Sequence, residues 1–351
     1  MAIDIYTPRA MMAAIERMPV VGSFLRSKFF PNEETHPTRD LMLDIYKGGR
    51  IVAPYVSSAK EGKVLTKPGY TSKLIRTPYV KSKRNITAVD TAKRAHGEVP
   101  LAPLSHAERA NKLMAKYLDE GRREIERVVE LQASQALITG KVTAIGKDDN
   151  EVDWTVEVDY GRDAGHTVAL AAGNTWTIAT VDPFANLRTW QALGRKNGFM
   201  NMTEVVMGAD VITAFFGNPI VQKRQLANSR WLTRDNIDMG DFDPASGVHF
   251  IGSAEGFNFY GYDNWYEHPT TGVVTQLMPA NKIIMGANSA RNVINYGAIE
   301  DLQFSGGLAE AKIFPKSWDE QDPSVRWLLM QSSPLATLAE PDTTLCAQVT
   351  A

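Results

Sequence analysis

Between Ser105 and Gly140 the apolar positions recur at helical spacing. Met114, Leu118, Ile125 and Val128 form one narrow stripe with Gly121 in its middle. Both ends of this segment are marked. Ser105 followed three residues later by Glu108 forms a capping box, and Gly140 supplies the left-handed residue that ends a helix. The spacing predicts a helix over 106–139, about 51 Å long at ~1.5 Å per residue. The rest of its surface carries acids and bases, with Asp119/Arg123 and Arg122/Glu126 at i,i+4. Gln132 interrupts the stripe, so the clean heptads of a coiled coil are missing. A thin apolar stripe in a charged surround suits a spine laid across a sheet.

Elsewhere the pattern alternates between periods. An amphipathic piece at 11–18 precedes Phe24, Phe29 and Phe30, and 32–40 reads as polar and irregular. Residues 51–66 and 71–86 are rich in Val, Ile, Thr and Tyr. They read as equal arms of a hairpin about Pro68-Gly69, the central pair of a type II turn. Pro54, Pro78 and the 57–62 run imply bends rather than a buried central strand. Residues 141–161 alternate as two strands about an acidic turn at 148–153. Asp182-Pro183 opens a helix through Leu193, 203–207 reads as a strand, and 209–216 as a short helix ended by Gly217. An exposed loop is expected at 234–247. Strands follow at 249–262, 266–277, 282–285, from 308, 324–332 and 343–349. Helices and strands mix without βαβ order, so the class is α+β.

Charge changes this picture most at 47–88. That segment holds ten basic residues and one acid, a charge of +9, against 28 bases and 39 acids in the remainder. A lone two-stranded hairpin is marginal in water, so the segment has three readings: a solvated loop, a nucleic-acid contact, or an arm resting on the acidic surface of a neighbouring copy. Clustered aromatics at stacking spacing are absent and the chain carries a net charge of −2, which argues against a dedicated nucleic-acid protein. The neighbouring copy is favoured.

Composition bounds the rest. With 351 residues, 44% hydrophobic and 22% charged, the chain is ordinary globular material for about two domains. Its single cysteine, Cys346, excludes an intrachain disulfide framework and a cysteine-based zinc site, and reads as a small buried hydrophobe. No signal-peptide architecture and no run of ~18 apolar residues is present, so the chain reads as soluble and cytosolic. No nucleotide, hydrolase or zinc-protease motif occurs, and the six histidines are scattered. Asp241-Phe242-Asp243 starts like a calcium loop, but Pro244 and the late Gly247 spoil the register. No catalytic residue, metal or cofactor is assigned.

Several runs carry a resemblance. Leu25-Arg-Ser-Lys-Phe-Phe30, Leu43-Asp-Ile-Tyr46, Gly48-Gly-Arg-Ile-Val-Ala-Pro-Tyr-Val56 and Gly62-Lys-Val64 resemble the opening of the lambda-type tailed-phage major capsid proteins, the phage capsid E family. Thr77-Pro-Tyr-Val-Lys-Ser-Lys83 is similar to the returning arm of that family's hairpin. Phe314-Pro-Lys-Ser-Trp318, Asp322-Pro323, Met330-Gln-Ser-Ser-Pro-Leu335 and Leu338-Ala-Glu-Pro-Asp342 are similar to its C-terminus. The likeness spans nearly the whole chain in order and thins over roughly 200–275.

The resemblance implies the fold shared by tailed-phage and herpesvirus capsid proteins. Residues 1–46 would be an N-terminal arm and 47–90 an extended β-hairpin over a neighbour. Residues 91–182 with 308–351 would form a peripheral domain on the spine helix, and 183–307 an axial domain at the capsomer centre. It implies a structural, non-enzymatic protein that assembles with itself into hexamers and pentamers of an icosahedral phage head enclosing the genome. Such a protein is made in the host cytoplasm and resides in the virion capsid. The implied company is a portal, a maturation protease, a decoration protein and a scaffold. No long N-terminal scaffolding segment is seen, so a separate scaffolding protein is expected. No membrane and no sequence-specific nucleic acid is implied. Covalent crosslinking through hairpin lysines such as Lys60 and Lys63 is not expected, because lambda-type shells rely on decoration. A nanocompartment shell of the same fold and a nucleic-acid-binding protein using the basic hairpin are the alternatives.

The interface residues expected on the hairpin are Arg50, Lys60, Lys63, Lys67, Lys73, Arg76, Lys81, Lys83 and Arg84. Asp235, Asp238, Asp241 and Asp243 are the candidate acidic partner surface. Reversing Lys81, Lys83 and Arg84 to Glu is expected to leave the subunit folded and to stop assembly.

Overall fold

The computed structural model describes residues 6–18, 22–46, 70–92, 105–147, 153–227, 247–268, 271–302, 307–322 and 324–350, with single positions at 55, 58 and 61. The Pro68-Gly69 turn, Arg50, Lys60, Lys63, Lys67 and the four aspartates of 235–243 lie outside these residues.

The spine helix His106–Thr139 forms as its ends dictate. Ser105 Oγ accepts from the Glu108 amide at 3.2 Å, and the Glu108 carboxylate accepts from the Ser105 amide at 2.8 Å. Gly140 closes the helix with φ 72°. Gly121 is required by close approach, since a Cβ there would lie 2.8 Å from Met330 Cγ on the neighbouring strand. The stripe itself is wider than expected. In the C-terminal half Val129, not Val128, is buried, and Glu130, Gln132 and Ser134 are buried with it. The physical reason is that this half of the helix is enclosed, so apolar spacing alone under-reports its buried face.

Among the described residues, six strands form a mixed sheet in the order Thr167–Ala169, Thr344–Gln348, Lys282–Gly286, Glu204–Met207, Phe257–Tyr262, Val248–Ala254. Its central strands are buried on both faces, which explains their continuous apolar runs. Alternate residues feed two cores. Val206, Ile284 and Cys346 face the core built on Val129, Ala133 and Leu137 of the spine helix. Val205, Ile283 and Leu345 face a second core with Trp176, Phe184 and Phe215, covered by helices Pro183–Asn197 and Ala209–Gly217. Asp182 caps the first of these, accepting from the Phe184 amide at 3.0 Å.

A three-stranded sheet, Phe314–Glu320, Val325–Ser332 and Val80–Thr87, lies against the first half of the spine. There Met114, Leu118 and Ile125 meet Ile86, Leu328 and Met330, together with Met11 and Ile15 of helix Pro8–Arg17. Another three-stranded sheet joins Asn32–Thr35, parallel, to Val293–Tyr296, which pairs antiparallel with Pro334–Thr337. The stretch expected to be irregular at 32–40 therefore contains a strand. Its polar side chains mask it, because an edge strand is held by its backbone. The expected boundaries at 182/183 and 307/308 run across these sheets. Thr344–Gln348 pairs with Lys282–Gly286, and Pro334–Thr337 pairs with Val293–Tyr296.

The hairpin is differently paired from the expectation. Tyr70–Arg76 pairs with Asp40–Tyr46, Asp40 opposite Arg76 and Tyr46 opposite Tyr70. Val80–Thr87 leaves it for the body and pairs with Val325–Ser332. The break falls at Thr77-Pro78. Pro78 has no amide to continue a ladder, and Thr77 is buried with its hydroxyl 2.6 Å from that of Ser333.

Candidate assembly surfaces

The paired strands Asp40–Tyr46 and Tyr70–Arg76 have two unlike faces, as strand alternation requires. Leu41, Leu43 and Ile45 point inward and are buried, while Met42 is 71% and Leu74 73% exposed. Met42 and Leu74 are direct cross-strand partners, so the outer face carries one open apolar pair. Beside it the exposed Asp40 and Arg76 lie 3.9 Å apart. The root is fastened by polar contacts. Lys73 Nζ donates to the Asp159 carbonyl at 2.6 Å, the Thr77 amide donates to the Arg39 carbonyl at 3.0 Å, and Arg39 reaches Glu300 at 3.1 Å.

The described basic residues do not act as one patch. Lys73 is committed to Asp159 of its own chain, and Arg76 stands at the hairpin rim near Asp40 and Glu300. Lys81, Lys83 and Arg84 lie on the body sheet. Lys83 sits over the Trp327 ring at 3.8 Å and the Trp318 ring at 5.3 Å, and Lys81 over Tyr79 at 4.9 Å. Arg84 turns to the spine helix and pairs with Glu120 and Glu124. This corrects the expectation that reversing Lys81, Lys83 and Arg84 tests assembly alone, because Arg84→Glu would face two carboxylates of its own subunit. Arg84→Glu alone is expected to cost about 1–2 kcal/mol, discounted because all three side chains are partly exposed. Lys81→Glu should stay within ~0.5 kcal/mol. Thermal midpoints of the two single variants check this, and an unshifted Arg84→Glu would show the contact to be idle.

Other polar residues, unassigned in the sequence, organise the junctions. Glu130, only 3% exposed, accepts from the Leu25 amide at 2.8 Å, the Arg26 amide at 3.0 Å and the Tyr262 hydroxyl at 3.0 Å. Burial pushes its carboxyl above the ordinary glutamate value, against the pull of those donors and of the Arg26 charge. Lys28 bridges Glu204 at 2.8 Å and Tyr260 at 2.9 Å. Gln132 donates to the Pro334 carbonyl at 3.0 Å and accepts from the Ala336 amide at 3.2 Å, so it serves as a ladder partner for that strand. The one available signal was a polar residue interrupting an otherwise apolar helix face. Among the described residues no group of three or more His, Cys, Asp or Glu is placed to hold a metal ion. No described helix is long and apolar enough to cross a membrane.

An arm with one open apolar face offers surface for contact with another molecule. The chain is 26% identical to the major capsid protein of Escherichia phage lambda over 353 residues, 99% of this chain and 100% of that one. It is equally 26% identical to the major capsid protein of Enterobacteria phage P21 over 357 residues, again 99% and 100%. A crystal structure described as the capsid protein of an Escherichia coli CFT073 prophage is similar in fold, with a TM-score of 0.74 at 18% identity over 97% of this chain and 98% of that one. The family model for phage major capsid protein E matches residues 7–349. The chain belongs to the phage major capsid protein E family.

Proposed function

We propose that this chain closes the shell of a phage head by laying the outer face of hairpin 40–76 on a neighbouring copy. As a major capsid protein it is a structural component of the virion and associates with itself. The observation that carries the hairpin reading is the exposed Met42–Leu74 pair on an arm whose other face is buried and whose root is pinned. Shell contacts need not be strong singly. Once copies are joined in a ring, each further contact forms at high effective concentration. Obligate interfaces of this kind bury roughly 2,000 Å² or more, and the charges at the rim supply orientation more than affinity.

In this reading the first half of the spine helix with its three-stranded sheet forms the peripheral region. The core around Trp176 and Phe215 forms the axial region of hexamers and pentamers. Arg50, Lys60, Lys63 and Lys67 meet an acidic neighbour surface that includes Asp235, Asp238, Asp241 and Asp243. A separate scaffold, a portal, a maturation protease and a decoration protein complete the assembly. Negative-stain electron microscopy of the purified protein, beside a sedimentation run, tests the reading. Closed shells, tubes or capsomer rings are expected. A stable monomer or dimer even with scaffold added would overturn it.

A further inference from the structure

The segment between the first helix and the hairpin touches three parts of the molecule within a few residues. Helix Phe24–Phe29 is too short to hold itself in water. Arg26 pairs with Glu33 within the same segment, and the helix's hydrogen bonds to the rest of the molecule come from residues 104 to 263 positions away. On one side Glu130 of the spine helix takes two amides of its first turn and the Tyr262 hydroxyl. On the other, Lys28 reaches Glu204 of the six-stranded sheet, and Phe24 lies 5.2 Å from the Tyr260 ring and 6.0 Å from that of Tyr262. Phe29 fills the space left by Gly286, where a Cβ would run into its ring. Asn292 Nδ2 donates to the Phe29 carbonyl at 3.2 Å. Asn32–Thr35 then pairs with Val293–Tyr296, and the chain passes through 36–39 into hairpin strand Asp40–Tyr46.

We propose that residues 24–35 act as a strap that opens and closes as one unit, with Glu130 as its clasp, and that its closure fixes the hairpin root against the spine helix and the six-stranded sheet. The spine helix keeps its own caps when the strap is open, and the six-stranded sheet keeps its ladder, because neither uses a strap backbone group. Opening is therefore a local event, of the kind that occurs below the cost of global unfolding. The strap belongs to the single subunit, so it stands apart from the neighbour contact proposed above.

Amide hydrogen exchange on the full-length, unassembled protein tests it. Glu130→Gln keeps the side chain's size but turns one accepting oxygen into an NH2 group that faces a backbone amide. Exchange over 24–35 and 40–46 is expected to rise at least tenfold, with 114–125 and 344–348 unchanged. Gly286→Ala acts from the opposite side, through the Phe29 ring that a Cβ there would meet first, and is expected to accelerate the same two regions. Two results would sink the proposal: faster exchange spread evenly over all four regions, or acceleration confined to 24–29 with 32–35 and 40–46 as in the parent.

Discussion

Arg162→Met is expected to lower the stability of the subunit by about 3–5 kcal/mol. The guanidinium donates to the Leu137 carbonyl at 2.6 Å, the Ile138 carbonyl at 2.7 Å and Thr167 Oγ1 at 2.7 Å. These two carbonyls belong to the last turn of the spine helix, where no further helical amide exists to meet them. Leu137 and Ile138 are buried, and burial also holds Arg162 below the ordinary arginine value. Methionine keeps the stem's bulk and donates nothing. Each orphaned carbonyl then costs roughly 1–3 kcal/mol, and hydrogen bonds from a charged donor lie at the upper end. Gly140 belongs to the same construction, since a Cβ on it would lie 2.9 Å from Arg162 Cβ. Urea unfolding followed by circular dichroism reads the loss as a midpoint lower by about 1 M or more, for a slope near 3 kcal/mol/M. A shift under ~0.3 M would mean that water replaces the guanidinium. Arg162→Lys should recover little, because an ammonium cannot span two carbonyls and Thr167 as a planar fork does.

The contrast between Arg162 and Gly140 marks what was legible in the sequence. Gly140 and the Ser105/Glu108 box are local signals, with cap and capped amide within three or four residues, and they placed the spine helix correctly at both ends. Gln132 was legible only as an interruption and Glu130 not at all, because their partners lie 202 and 105 positions away. The hairpin misled for the same reason. Pro68-Gly69 is a strong local turn signal. Pairing was decided instead by the burial of Leu41, Leu43 and Ile45, and by strand Val325–Ser332 claiming Val80–Thr87 from the far end of the chain. The described part of the +9 segment thus divides between a hairpin strand and a body sheet, and its charge count alone could not show the division. The apolar run 205–207 read only as a strand, and the structure buries it on both faces. Which of Val205 and Val206 faces which core depends on the helices that cover each side.

The open apolar pair on the hairpin leads to the expected result with the largest functional effect. Met42→Gln with Leu74→Thr should leave the subunit folded and abolish closed shells. Both side chains are more than two-thirds exposed in the single subunit, 71% and 73%, so replacing them costs the fold within ~0.5 kcal/mol each. Neutral polar residues are chosen because two glutamates directly opposite one another would push the hairpin strands apart. Covered by a neighbour, Met and Leu would each contribute roughly 1.5–3 kcal/mol. Because a shell multiplies that loss over every hairpin, a modest change per contact becomes a failure to close. Sedimentation should show closed particles reduced at least 100-fold at the protein concentration that assembles the parent, with the thermal midpoint of the subunit unchanged. The swap Met42→Leu with Leu74→Met keeps the apolar area and should keep the shells. Normal particles from the polar pair would show that this face of the hairpin looks into solvent, and that the neighbour is held by another surface. Loss of shells from the apolar swap as well would point to exact shape, rather than apolar area, as what the neighbour reads.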